Sequence, residues 1–240
     1  MKNLLGISAA VLGLLALTGT SQAQTILWGV AQNMTGNPDI STAGTYFDAV
    51  TAGSAQIVNN GVAGSGGINV PFNALTGNPA TDGTISLTIG DDQGNFTAPF
   101  TTSSPSSASY SNLVNTGVFG AGGSSLVTIG GLGGLNLTTG DTYQVQSWSW
   151  YSGDGTATTI YDGANTVSLT NAVGQYAIGT FTATGPQETY DFSTSTGHQF
   201  VNVISVRDIT VAVPEPSSMT LMVLGLAGMT LFIRRKYAKA

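Results

Sequence analysis

The body of this chain is predicted to be all-β: an antiparallel β-sandwich carrying one short helix. Three observations predict it. Gly, Ser and Thr make up more than a third of the 240 residues and only 8% are charged, a composition that disfavours helix and suits short strands joined by turns. Apolar segments of strand length recur between turn signals. Asp-Gly pairs at Asp82-Gly83, Asp154-Gly155 and Asp162-Gly163 supply the positive φ that tight turns need.

Taken in order, the strand segments are 25–30, 45–50, 68–72, 84–89, 142–151, 156–161, 166–169, 176–182 and 200–211. A Thr-Gly-Asn-Pro turn at 35–38 recurs at 76–79, with no longer repeat. The helix is placed at 107–115. There Tyr110, Leu113 and Val114 share one helical face after a serine-rich start able to cap it. From Leu135 to Gln146 an apolar strand end, a glycine turn and a strand beginning at Tyr143 resemble a junction common in extracellular sandwiches. A jelly-roll-like topology is favoured, because the strands after Thr142 read as a meander and 200–211 can return beside the N-terminal strand. An immunoglobulin- or fibronectin-like sandwich is the alternative.

The two ends are targeting segments. Lys2 precedes an apolar run from Leu4 to Leu17 and a polar stretch ending at Ala23, which is a signal peptide over 1–23 with cleavage between Ala23 and Gln24. Signal peptidase is thus an expected partner. The exported body spans 24–212. The remainder, 213–240, reads Val213-Pro214-Glu215-Pro216, then an apolar run 219–233, then Arg234-Arg235-Lys236. Fifteen helical residues span about 22 Å, short of a hydrocarbon core near 30 Å, and the basic cluster stays cytoplasmic. Both ends therefore give one topology, with the body outside.

These tail residues resemble the PEP-CTERM sorting signal of Gram-negative bacteria. The resemblance covers about the last twenty-eight residues. It implies recognition by an exosortase, a membrane-embedded transpeptidase-like enzyme. It also implies association with extracellular polysaccharide and biofilm matrix, at the cell surface or beyond it. The transmembrane sorting helix at 219–233 is then a transient anchor, read and removed as in lipid-anchor signals; a permanent anchor is the alternative.

Between Gln24 and Val213 stand eleven carboxylates and one cation, Arg207, for a formal charge near −10 against −6 for the whole chain. Such a body opposes nucleic acid and anionic membranes. The absence of cysteine excludes a disulfide framework, so the fold must rest on its own core.

Catalytic chemistry is sparse. The body has one histidine, His198, in a Thr-Gly-His turn, one glutamate, Glu188, and no lysine or nucleophile-elbow motif, so the expectation is a non-enzymatic structural or adhesion protein, with a carbohydrate-binding module or a glycan-acting enzyme as the alternatives. No cofactor is expected, save calcium as a candidate. Asp91, Asp92 and Asn95 share a glycine-rich loop, with Asp39, Asp154, Asp162 or Asp191 able to complete a cage, against an exposed hairpin connection. Arg207 is expected to pair with a carboxylate. On the strand from Tyr143, alternation puts Trp148 and Trp150 on one face with Gln144 and Gln146. The indoles are either a carbohydrate-binding platform or core, and the residues of the opposite face, Tyr143, Val145, Ser147, Ser149 and Tyr151, are no more apolar.

Overall fold

The computed structural model describes residues 25–61, 66–76, 79–90, 94–100, 107–121 and 123–211. The expected signal peptide, the sorting tail, Asp91, Asp92 and part of the second Thr-Gly-Asn-Pro turn lie outside the described residues. No helix among the described residues is long and apolar enough to cross a membrane.

Two short strands come first, β1 (Leu27–Trp28) and β2 (Gln32–Asn33), followed by a 3₁₀ turn at Asn37–Asp39 built on the first Thr-Gly-Asn-Pro. Then come β3 (Thr45–Thr51), β4 (Gln56–Asn59), β5 (Asn69–Ala74), β6 (Ala80–Thr81), β7 (Ile85–Thr88) and β8 (Gly94–Thr97). Helix α1 (Ala108–Val114) forms where its pattern predicts. The Ser107 hydroxyl accepts the Tyr110 amide at 3.1 Å as N-cap, and Tyr110, Leu113 and Val114 are buried. The second half holds β9 (Thr116–Ala121), β10 (Ser124–Gly130), β11 (Thr142–Ser149), β12 (Ala157–Tyr161) and β13 (Thr166–Thr170). It ends with β14 (Gln175–Thr182), β15 (Gln187–Ser193), β16 (His198–Val201) and β17 (Val203–Asp208).

The first sheet runs β1-β14-β11-β17-β3-β5-β4, with β2 also on β14; the second runs β13-β12-β15-β10-β7-β6; a third, small sheet runs β16-β9-β8. Pairing is antiparallel except between β3 and β5. Within the two large sheets the partners nest: β3 with β17, β10 with β15, β11 with β14, and β12 with β13. The expected meander after Thr142 is therefore corrected. Apart from the β12–β13 hairpin, successive strands cross between sheets, because β11, β14, β15 and β17 pair with nested partners instead of neighbours in sequence. The expected final strand is two, split at Asn202. β16 joins the small sheet, while β17 lies between β11 and β3, away from β1.

Only one flanking Asp-Gly pair of β12 closes a hairpin. Gly163 takes φ 93° and the Asp162 carboxylate accepts the amides of Ala164 and Asn165 at 3.1 and 2.8 Å, turning β12 into β13. Asp154-Gly155 instead leads the chain from the first sheet to the second.

The first sheet is buried on both faces. Tyr143 and Val145 of β11, Val50 of β3, Phe181 of β14 and Val206 of β17 face a core shared with Ile85, Val127, Ile129, Ile160, Tyr190 and Phe192 of the second sheet. The alternate residues Trp148, Tyr176, Ala49 and Val203 face a second core, covered by α1, by Val58 and Phe72, and by Ile40. This is why neither face of β11 reads as the polar one. Its glutamines are satisfied by the covering segment: Gln146 donates to the Asp39 carbonyl at 2.7 Å and accepts the Ser41 amide at 3.0 Å, and Gln144 accepts the Ser41 hydroxyl. Across the main core, Ser147 and Tyr190 share a hydroxyl hydrogen bond of 2.8 Å. At the Tyr143 junction, the phenol oxygen accepts the Thr138 amide at 2.9 Å, fixing the turn that enters β11.

Candidate binding cleft

The small sheet builds the site. Antiparallel register sets Phe96 opposite Gly117 and Gly94 opposite Phe119, while β16 adds Phe200 opposite Phe119 and His198 opposite Ala121. Directly paired residues point to one side of a sheet, so Phe96, Phe119, Phe200 and His198 share a face. The glycines make room for the rings. A β-carbon at Gly117 would stand 2.3 Å from Phe96 Cζ, and one at Gly94 would stand 2.5 Å from Phe119 Cζ.

Beyond the end of β11 the chain brings Tyr151, Gly153 and Asp154 against this face, enclosing a cleft of about 360 Å³. Tyr151 stacks on Phe200 with centroids 4.7 Å apart, and Phe96 meets Tyr151 nearly edge-on at 4.9 Å and 67°. Phe119 meets the His198 ring at 5.1 Å and 89°. Phe200 is buried, whereas Phe96, Phe119 and Tyr151 are half-buried and leave ring surface to solvent.

Polar side chains lock the junctions that hold these rings. The Asn202 side chain accepts the Trp150 amide at 2.7 Å and donates to the carbonyls of Val114 and Thr116, pinning the point where β16 becomes β17. Ser149 donates to the Phe200 carbonyl at 2.8 Å, and Thr158 accepts the Phe200 amide at 3.0 Å. A ring-bearing strand is thereby fixed to rigid elements.

Asp154 supplies the cleft's carboxylate. Its Oδ1 accepts the Thr156 amide at 2.8 Å and its Oδ2 lies 3.8 Å from His198 Nδ1. Burial pushes this carboxyl up, but hydrogen bonds from Thr156 and the nearby imidazole outweigh it and hold the group below its usual range. Among the described residues it is the one carboxylate with an imidazole nitrogen this near.

The residues singled out in the sequence fall elsewhere. Trp148 is fully buried and Trp150 is 8% exposed, so neither presents a ring to a saccharide; α1, Phe72 and Phe100 occupy the face they point to. Asn95 is exposed on β8, and the four aspartates offered as its partners are all engaged already, Asp191 by a hydrogen bond from Ser124. Asp39 accepts Thr35, Gly36 and Tyr110; Asp162 accepts Ile26, Ala164 and Asn165; Asp154 accepts Thr156. No metal-ligating group of three or more occurs among the described residues. Arg207 is corrected too, since its guanidinium donates to the carbonyls of Ala43 and Gly44 and so ties down the loop before β3. The cleft is not among the sites expected from the sequence, and its one local trace there is a repeated Gly-x-Phe, at 94–96 and 117–119, in segments too glycine-rich to read as strands.

Beyond the described residues, the PEP-CTERM protein-sorting motif matches residues 212–236. The chain carries a PEP-CTERM sorting motif. That motif supports export and sorting to the cell surface, with an exosortase-type enzyme as the implied partner. A comparison with curated proteins returns no match. Among solved structures, the chain is similar to the enzymatically active domain of tailspike protein 4 of bacteriophage CBA120, at 12% identity and a TM-score of 0.33. The match covers 57% of this chain and 23% of that one, and at such a score it carries no argument about activity.

Proposed function

We propose that the chain is a non-catalytic structural or adhesion protein of the cell surface or extracellular matrix, and that its body meets extracellular polysaccharide through the aromatic cleft. The observation that carries the binding reading is the cleft: three half-buried rings around about 360 Å³ of space, beside a carboxylate. Pyranoses have apolar C–H faces that stack on rings and hydroxyls that donate to carboxylates. This reading moves the saccharide contact from Trp148 and Trp150 to Phe96, Phe119 and Tyr151. The non-catalytic reading is supported by the roles of the scarce titratable groups: Glu188 faces inward on β15 and His198 serves as a cleft wall. For the sandwich we favour the jelly-roll-like topology, on the strength of the four nested strand pairs.

Sorting and export make a mature protein that begins near Gln24 and has lost its basic end. Mass spectrometry of inner-membrane, surface and medium fractions tests this. A product outside the inner membrane without residues 234–240 is expected. Recovery only of a membrane-embedded form retaining Arg234 to Ala240 would favour a permanent anchor and overturn the sorting reading.

A further inference from the structure

The charge of the cleft narrows its ligand. Among the described residues, Asp154 is the one carboxylate in the lining and no lysine or arginine joins it. Its side chain keeps 16% of its surface open, and the His198 ring stands at 3.8 Å, beyond hydrogen-bonding distance. The body around it carries eleven carboxylates against one arginine, and that arginine is 5% exposed with its donors on Ala43 and Gly44. A field of that sign concentrates cationic ligands near the cleft and repels polyuronates. The walls suit a cation as well. Phe96 stands at 67° to Tyr151 and Phe119 at 89° to His198, so the rings form a box instead of a flat platform, and ring faces attract ammonium groups.

We propose that the cleft selects glycans bearing free amines, namely deacetylated hexosamine units, with the sugar's C–H face against Phe96 and Tyr151 and its ammonium at Asp154. The proposal rests on the polysaccharide reading above and assigns the class of sugar. Asp154 is the specificity-determining residue, and Tyr151 and Phe96 supply contact common to any pyranose. An acetamido sugar offers the same ring without the charge. A uronate offers charge of the wrong sign.

Calorimetric titration of the protein as its cells export it, with a glucosamine tetramer, an N-acetylglucosamine tetramer and tetralysine, tests this. The amine sugar should bind about tenfold more tightly than the acetamido sugar at low salt, and the gap should shrink at high salt. Asp154→Asn keeps an oxygen for the Thr156 amide and should make the two sugars equal, whereas Tyr151→Ala should weaken both. Equal binding by the native protein, or a preference that survives Asp154→Asn, overturns the amine assignment and leaves the polysaccharide reading standing. Tetralysine binding as tightly as the amine sugar also overturns it, in favour of a cationic peptide. If neither sugar binds, both readings fall.

Discussion

The ring of Phe96 lies across Gly117 on the neighbouring strand, so near that any side chain at 117 would collide with it. Asn202 Nδ2 stands 2.9 Å from the same point, so a methyl group there meets two walls, one of them the side chain that pins the β16–β17 junction. Gly117→Ala should therefore cost about 1–3 kcal/mol by overpacking and should push the Phe96 ring out of the cleft. A lowered Tm together with lost polysaccharide retention is the expected outcome. An unchanged Tm would mean that the ring has room to move.

Trp148 lies fully buried between Phe72 and Tyr176, with ring centroids 6.5 and 5.9 Å away. Trp148→Ala should cost about 3–5 kcal/mol, as expected of a large core side chain, and should unfold much of the body. Trp148→Phe should cost less and leave glycan retention intact. Denaturant unfolding read alongside retention separates the two effects.

Asp39 knots the covering segment to the helix. Its carboxylate accepts the Thr35 amide and hydroxyl at 2.6 Å each, the Gly36 amide at 2.9 Å and the Tyr110 phenol at 2.7 Å. Asp39→Ala leaves buried donors unpaired, and hydrogen bonds to a charged group are worth about 1.5–3 kcal/mol each. A loss of roughly 3 kcal/mol or more is expected in urea unfolding. Ser107→Ala, which removes only the helix cap, should cost about 1 kcal/mol.

Three carboxyls make the fold acid-favouring, and one of them, Asp191, is raised by burial against a hydrogen bond from Ser124. Glu188 is pushed up to about 7, first by burial and then by the Asp162 carboxylate, against a hydrogen bond from Thr189. Asp48 is pushed up to about 6, first by burial and then by Asp82, across the Asn73 amide that donates to both carboxylates. The native state thus holds protons that the unfolded chain releases near its ordinary carboxylate values, so stability falls as pH rises from about 4 through about 7. Asp154, held below its range, works in the opposite sense only at lower pH. The Tm should rise on acidification from about pH 8 to about pH 5. Glu188→Gln should remove the upper part of that slope, and a flat profile in the native protein would refute the shifts.

Much of the fold was legible because local chemistry announces it. The Ser107 cap, the Tyr110-Leu113-Val114 face and the Asp162-Gly163 turn each depend on residues close in sequence. The second sheet was not legible in its middle. β10 buries Ser125, Val127 and Ile129 inside a glycine-rich stretch, and β15 buries Glu188, Tyr190 and Phe192 between polar residues. Strand order escaped for another reason: nested pairing over long separations leaves no short-range trace, and Asn202, where one apolar run divides between two sheets, looks like an ordinary strand residue. Trp148 and Trp150 drew attention because indoles so often bind sugars. Composition does not reveal that α1 and the segment around Ile40 cover that face. The cleft was missed because its aromatics lie on three separate strands, and only register brings Phe96, Phe119 and His198 together.

Affinity electrophoresis through gels holding the producing cells' own exopolysaccharide tests the central claim most directly. The exported protein should be retarded, Phe96→Ala with Tyr151→Ala should migrate freely while keeping the circular dichroism of the native fold, and the polysaccharide should come out at its original length. Equal retardation of the doubly substituted protein would contradict the cleft as the binding site, and a shortened polysaccharide would contradict a non-catalytic body.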